Sequence, residues 1–127
     1  MKKFVISVVL VIFGVGYIRS HYTFHDVVVY NQKHPDPRRS PQVAYYVGMT
    51  TFLRSDFPTA TEAFTQLLTD YPTCQYAPKA LLRLGTIYSE QQKWEDARIQ
   101  FQRYIEEYPS GPDIETVKNK YEFIKFK

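Results

Sequence analysis

Two fifteen-residue stretches of this chain carry one pattern. "YVGMTTFLRSDFPTA" begins at Tyr46, and "RLGTIYSEQQKWEDA" begins 37 residues later at Arg83. Each has Gly third, an aromatic twelfth (Phe57, Trp94) and Ala fifteenth (Ala60, Ala97). The same shift pairs Phe64 with Phe101, Tyr71 with Tyr108 and Pro72 with Pro109. One step back falls on His34 and Pro35, and one step forward from Gly85 falls on Glu122. A fixed period of this length signals an array of stacked supersecondary units. The chain therefore reads as two full copies with a trailing half before them and a leading half after them.

Each copy reads as two helices. Ser40 with Pro41, and Ser110 with Pro112, suit helix starts. Val43, Val47 and Thr50/Thr51 in one copy, and Leu81, Leu84 and Tyr88 in the other, fall at helical spacing. A break follows at "RSDFP" and at "QQKWE". The second helix places Ala60, Phe64 and Leu67, or Ala97, Phe101 and Tyr104, on one stripe. It ends at Tyr71-Pro72 or Tyr108-Pro109, because a residue before Pro resists the α region. Gly48, Ala60, Gly85 and Ala97 are small where two helices cross, so backbones can approach. Phe57 and Trp94 plug the turns, and Phe64 and Phe101 fill the space between one pair and the next. No pair buries its apolar face alone, so stability is shared between neighbours.

This pattern resembles the tetratricopeptide repeat over about residues 26–127. An apolar residue and Gly stand in the first helix, an aromatic at the turn, Ala and an aromatic in the second helix, and Pro at the end. Thr51 stands where the family usually has an aromatic, with Phe52 beside it. The 37-residue period and the linking "YPTCQYAPKALLRLGTIY" are similar to the family's cell-envelope branch, with its outer-membrane assembly lipoproteins and Tol–Pal coordinators. The resemblance implies an all-α, right-handed superhelix of antiparallel helix pairs. It also implies a groove lined by the first helices: Gln42, Tyr45, Met49 and Phe52 from one copy, Lys79, Leu82, Arg83, Thr86 and Ser89 from the other, then Asn119 and Phe123. Such a groove binds a peptide or helix of another protein. The alternative is that Tyr45, Met49 and Phe52 are covered by the helix at residues 24–34 or by a membrane partner. Some relatives clamp a terminal carboxylate with Lys and Asn; Tyr45 and Met49 hold two of those positions, so no such clamp is expected.

The N-terminus carries a different signal. "MKKFVISVVLVIFGVGYIRS" has two lysines, fifteen mostly apolar residues from Phe4 to Ile18, then Arg19. It reads as a secretory signal or a signal-anchor membrane helix over residues 1–22. Residues 23–37 read as the half-repeat helix and turn, and 38–127 as the repeat domain. Lys2 and Lys3 favour the cytoplasmic side. The expectation is a single-pass inner-membrane protein with its domain in the periplasm, or a periplasmic protein after signal cleavage.

Charge narrows the partners. Lys2, Lys3 and Arg19 account for the whole net charge of +3; thirteen basic and thirteen acidic residues cancel after that. A neutral, mixed surface argues against nucleic acid, which needs clustered cations. Arg38 and Arg39 read as a solvated turn. Cys74 is the only cysteine and has no Cys or His at metal spacing. His21 and His25 stand four apart but lack a third ligand. Glu95/Asp96 and Glu106/Glu107 read as solvated helix faces. No phosphate loop or nucleophile motif occurs, so no enzyme, cofactor or metal site is expected. Two units are near the minimum for a free array. The expected role is a protein-interaction module of the bacterial envelope, or an accessory subunit of a membrane complex, with a second copy of the chain as a further partner class. "EFIKFK" near the end, with Phe123, Ile124 and Phe126, reads as a docking site where a free array would carry a polar cap.

Overall fold

The structure is a computed structural model that describes residues 2–21 and 23–127, without the side chains of residues 18–21. Among the described residues there are seven α-helices and no strand. They are α1 (Lys2–His21), α2 (Phe24–Lys33), α3 (Ser40–Leu53), α4 (Phe57–Asp70), α5 (Ala77–Glu90), α6 (Trp94–Glu107) and α7 (Ile114–Ile124). Helices α3 with α4, and α5 with α6, form the tightest pairs; α4 joins the pairs by packing on α5, and α6 packs on α7.

The 37-residue period is written into the backbone. Helix α2 ends at His34, α4 at Tyr71 and α6 at Tyr108, with φ,ψ of −125°,68°, −134°,59° and −129°,55°. Each precedes a proline, which pushes it out of the α region. Helix α2 is therefore the second helix of a half-repeat. The breaks inside the two hairpins match too. Ser55 and Gln92 both sit in the left-handed region, at φ 59° and 58°. In each turn the following N–H reaches back to the helix: Asp56 N–H donates to Thr51 O and Lys93 N–H to Tyr88 O.

The glycines do their work against a ring. A Cβ on Gly48 would lie 2.5 Å from Phe64 Cε1, and one on Gly85 would lie 2.5 Å from Phe101 Cε1. Phe64 and Phe101 thus fill their own hairpins, which corrects the expectation that they sit between pairs. Around them Ala60, Leu67, Leu81, Ala97 and Tyr104 build one continuous core. A smaller cluster joins Val28 of α2 to Val47 and Ala63. Thr51 is itself fully buried, and its hydroxyl donates to Val47 O at 2.7 Å. That back-bond satisfies a polar group which would otherwise cost about 1–3 kcal/mol.

Two helix starts differ from expectation. Ser40 is inside α3 rather than its cap, and its hydroxyl accepts from Asp36 N–H at 2.7 Å. Arg39 is the N-cap and gives no side-chain cap, while the Asp36 carboxylate closes the preceding turn by accepting from the N–H groups of Arg38 and Arg39. Helix α7 starts at Ile114 after Asp113, so Ser110 and Pro112 lie in the preceding turn.

Helix α1 forms, and its apolar side chains are exposed, Phe4 at 74% for example. The expected single-pass span is not supported. Among the described residues no helix is long and apolar enough to cross a membrane. Helix α1 has 20 residues, and its apolar stretch from Phe4 to Ile18 accounts for about 22 Å against ~30 Å of hydrocarbon.

Candidate partner-binding face

The first helices of successive units, α3, α5 and α7, share a face set by the repeat. Its rows follow the 37-residue step: Tyr46, Arg83, Lys120; Met49, Thr86, Phe123; Phe52, Ser89, Phe126. At the α3 end Tyr45, Met49 and Phe52 are half-buried by the chain itself, while Tyr46 stays 55% exposed. Tyr45 stacks on Tyr76 at 4.6 Å between centroids, and Tyr46 meets Tyr45 edge-on at 5.4 Å. Phe52 lies 6.1 Å from Phe57, and the Arg83 guanidinium covers its other side at 5.2 Å. Met49 and Phe52 both pack on the main core. What covers these residues is Tyr76, Phe57 and Arg83, whereas α2 packs through Val28 on Val47 and Ala63.

The α7 end is open. A cavity of about 520 Å³ lies between the C-terminal turns of α5 and α7, beside the start of α6. Thr86, Ser89, Trp94, Asn119, Lys120 and Phe123 are among its lining residues. It exists because Thr86 and Ser89 are short where Met49 and Phe52, or Phe123 and Phe126, are long. Phe123 is 72% exposed and Phe126 is 90% exposed. Lys127 holds its ammonium 4.9 Å from the Phe123 ring centroid and 5.4 Å from that of Trp94. The Thr86 hydroxyl donates to Leu82 O at 2.8 Å. The Ser89 hydroxyl and the Arg83 Nε–H are shielded from solvent without a hydrogen-bond partner. Lys79 pairs with Asp113 at 2.8 Å and so ties α5 to the turn before α7. Burial, and secondarily Asp96, pushes the Tyr88 phenol above its ordinary pKa, so it stays protonated.

The structure brings Thr86, Ser89, Asn119 and Phe123 together at one cavity. It puts Leu82 in the core at 4% exposure, which removes it from the accessible face. Gln42 is exposed on α3, away from that cavity. Lys120, Phe126 and Lys127 were missed as face residues, although the 37-residue step from Arg83, Ser89 and Glu90 marks their positions. The α7 positions that repeat Leu81, Gly85 and Tyr88 are Lys118, Glu122 and Lys125, and Glu122 pairs with Lys125 at 2.5 Å. That stripe is polar, Phe123 lines the cavity, and Phe126 follows the end of α7 at a position that repeats Phe52 and Ser89.

Other candidates resolve into structural pairings. His25 Nδ1 lies 2.8 Å from Glu62 Oε2, joining α2 to α4. The His21 side chain lies outside the described residues, so the His21/His25 pair is not described. Among the described residues no cluster of His, Cys, Asp or Glu has the make-up of a metal site. Glu95 pairs with Arg98 and Glu107 with Arg103. Cys74 is a half-buried free thiol.

Comparison with curated proteins found no match. A protein-family model, YfiO, described as an outer membrane lipoprotein family, matches residues 37–119, which runs from the turn before α3 into α7. That match takes in both hairpins and their repeated Gly–Phe contacts, and it covers well over half of the chain. The chain belongs to the YfiO outer membrane lipoprotein family.

Proposed function

We propose that this protein is a non-enzymatic interaction module of the bacterial envelope that holds a segment of another protein on its α3–α5–α7 face. The observation that carries the reading is the open cavity between α5 and α7, beside a phenylalanine that is 72% exposed. A large apolar side chain standing free next to a concavity of aromatic and polar side chains suits a protein partner. The envelope family supports a periplasmic working place. Helix α1 serves export, or is buried against neighbouring proteins of a complex. Its exposed apolar side chains favour the second role, an accessory subunit, as the alternative.

A photo-reactive residue at Thr86 tests the reading in native cells. A discrete crosslink that is lost when Phe123 is changed to Ala supports it. A crosslink indifferent to Phe123→Ala, or none at all while the protein is folded and expressed, removes this face from consideration. Co-purification from native membranes then separates the roles: a fixed-stoichiometry complex retaining α1 marks a subunit, and a mature chain in the soluble periplasmic fraction marks an adaptor.

A further inference from the structure

We infer that the α5–α7 cavity takes an aromatic side chain from a partner segment whose neighbouring residues are acidic. This rests on the reading of that face as a partner-binding surface and adds the partner's chemistry.

The shape comes from the repeat. Along the face, side chains run large, small, large: Met49 and Phe52, then Thr86 and Ser89, then Phe123 and Phe126. The small pair leaves a notch between aromatic walls, Trp94 and Phe123 among them. A planar ring fits between rings, where edge-to-face contact adds to what area burial gives.

The charge comes from cations that lack carboxylates. Lys79, Arg98, Arg103 and Lys125 each pair with an acidic side chain. Lys120 lines the notch and Lys127 lies over two of its ring walls, and neither has a carboxylate partner among the described residues. Arg83 lies over Phe52, and Lys127 over Phe123 and Trp94. Lys127, held on ring faces, stays in place and keeps its N–H groups available to an incoming carboxylate. Glu90 is the one acidic residue lining the notch. Two unpaired cations against one carboxylate select an acidic segment.

Trp94 is the only tryptophan, so its fluorescence reports on the notch alone. Full-length protein in mild detergent is titrated with three terminally blocked pentapeptides: Tyr between glutamates, Ala between glutamates, and Tyr between lysines. The Glu-flanked Tyr peptide is expected to shift Trp94 emission saturably and to bind at least tenfold tighter than the other two. Ser89→Leu fills the notch and should weaken that binding at least tenfold, with an unchanged cooperative melt showing that the fold survives. Lys120→Glu with Lys127→Glu changes only rim charges and should turn the preference toward the Lys-flanked peptide. Equal binding of all three peptides, no binding by the Glu-flanked Tyr peptide, or a charge preference indifferent to the double reversal overturns the inference. If the peptides fail while the Thr86 crosslink persists, the partner chemistry falls and the binding face stands. If both fail, the face itself falls.

Discussion

The two hairpins share a backbone and differ in what they present. In both, a glycine lies under a phenylalanine ring, a left-handed residue closes the turn, and a tyrosine before proline ends the second helix. On the shared face they diverge. The first hairpin carries Met49 and Phe52, which the chain covers itself; the second carries Thr86 and Ser89, which leave a cavity. Positions that fix helix-on-helix distance tolerate little variation, because a ring and a Cβ cannot share one space. Positions on the face are free of that demand. Binding properties can therefore change from unit to unit without disturbing the array.

The largest test of this division removes the ring. Phe64→Ala and Phe101→Ala each delete a fully buried side chain, and each should cost about 3–5 kcal/mol in denaturant unfolding. Similar losses in one cooperative transition would show the hairpins to be equivalent and coupled. A split transition in one variant alone would show that the first and second units unfold separately. Next in size, Gly48→Ala and Gly85→Ala should each cost about 1–3 kcal/mol by overpacking. Phe64→Leu should recover part of the Gly48→Ala loss and none of the Gly85→Ala loss. Equal recovery at both glycines would mean that the ring contact is not the constraint.

This division also explains what the sequence made legible. Gly48, Gly85, Ala60, Ala97 and the Tyr-Pro ends recur because geometry demands those residue types at those positions, so self-comparison finds them. Phe64 and Phe101 were found on the right stripe, but their neighbour was misjudged, since periodicity gives a face and not a contact. The same holds in α7 and just after it. Phe123, Ile124 and Phe126 of "EFIKFK" read as one docking site, yet Ile124 is in the core while Phe123 and Phe126 are exposed. Counting forward by 37 from Gly85 to Glu122 marks the polar stripe of α7. Thr51 was unreadable by type, because its burial depends on a back-bond to Val47 O that no hydropathy scale records. The cavity was legible only residue by residue, as it arises from three units placed side by side.

Smaller differences between the hairpins lie at the helix starts. Asp56 caps α4 by accepting from Thr59 N–H at 3.5 Å, whereas Lys93 offers α6 no side-chain cap. Their backbones nearly coincide, at φ,ψ of −83°,72° and −88°,71°. Lys93→Asn should therefore stabilise by about 0.5–1 kcal/mol, and Asp56→Ala should cost about 0.5 kcal/mol, given so long a bond. No gain from Lys93→Asn would break the equivalence of the two turns. Gly at Ser55 or Gln92 relieves the left-handed strain but adds unfolded-state entropy, leaving a gain of about 0.5 kcal/mol at either site.

The smallest effect belongs to the half-repeat. Helix α2 opens with a capping box: Thr23 N–H donates to the Asp26 carboxylate at 2.7 Å and Asp26 N–H donates to the Thr23 hydroxyl oxygen at 3.3 Å, while the Thr23 hydroxyl donates to the same carboxylate at 2.9 Å. The backbone bond first, and the hydroxyl second, hold the Asp26 pKa below its ordinary 3.8. A carboxyl with a lowered folded pKa adds stability that is full above the unfolded value and is lost as pH falls through the folded one. Acidification below the ordinary aspartate range should thus fray α2, seen as faster amide exchange over residues 24–33. Asp26→Asn should abolish that acid-dependent step, leaving exchange in α5 and α6 unaltered. If α2 in the Asp26→Asn variant still loosens with the same acid profile, the box is not the group responsible. Because the His25–Glu62 contact also joins α2 to α4, Glu62→Gln in the Asp26→Asn background then identifies which carboxylate carries the dependence.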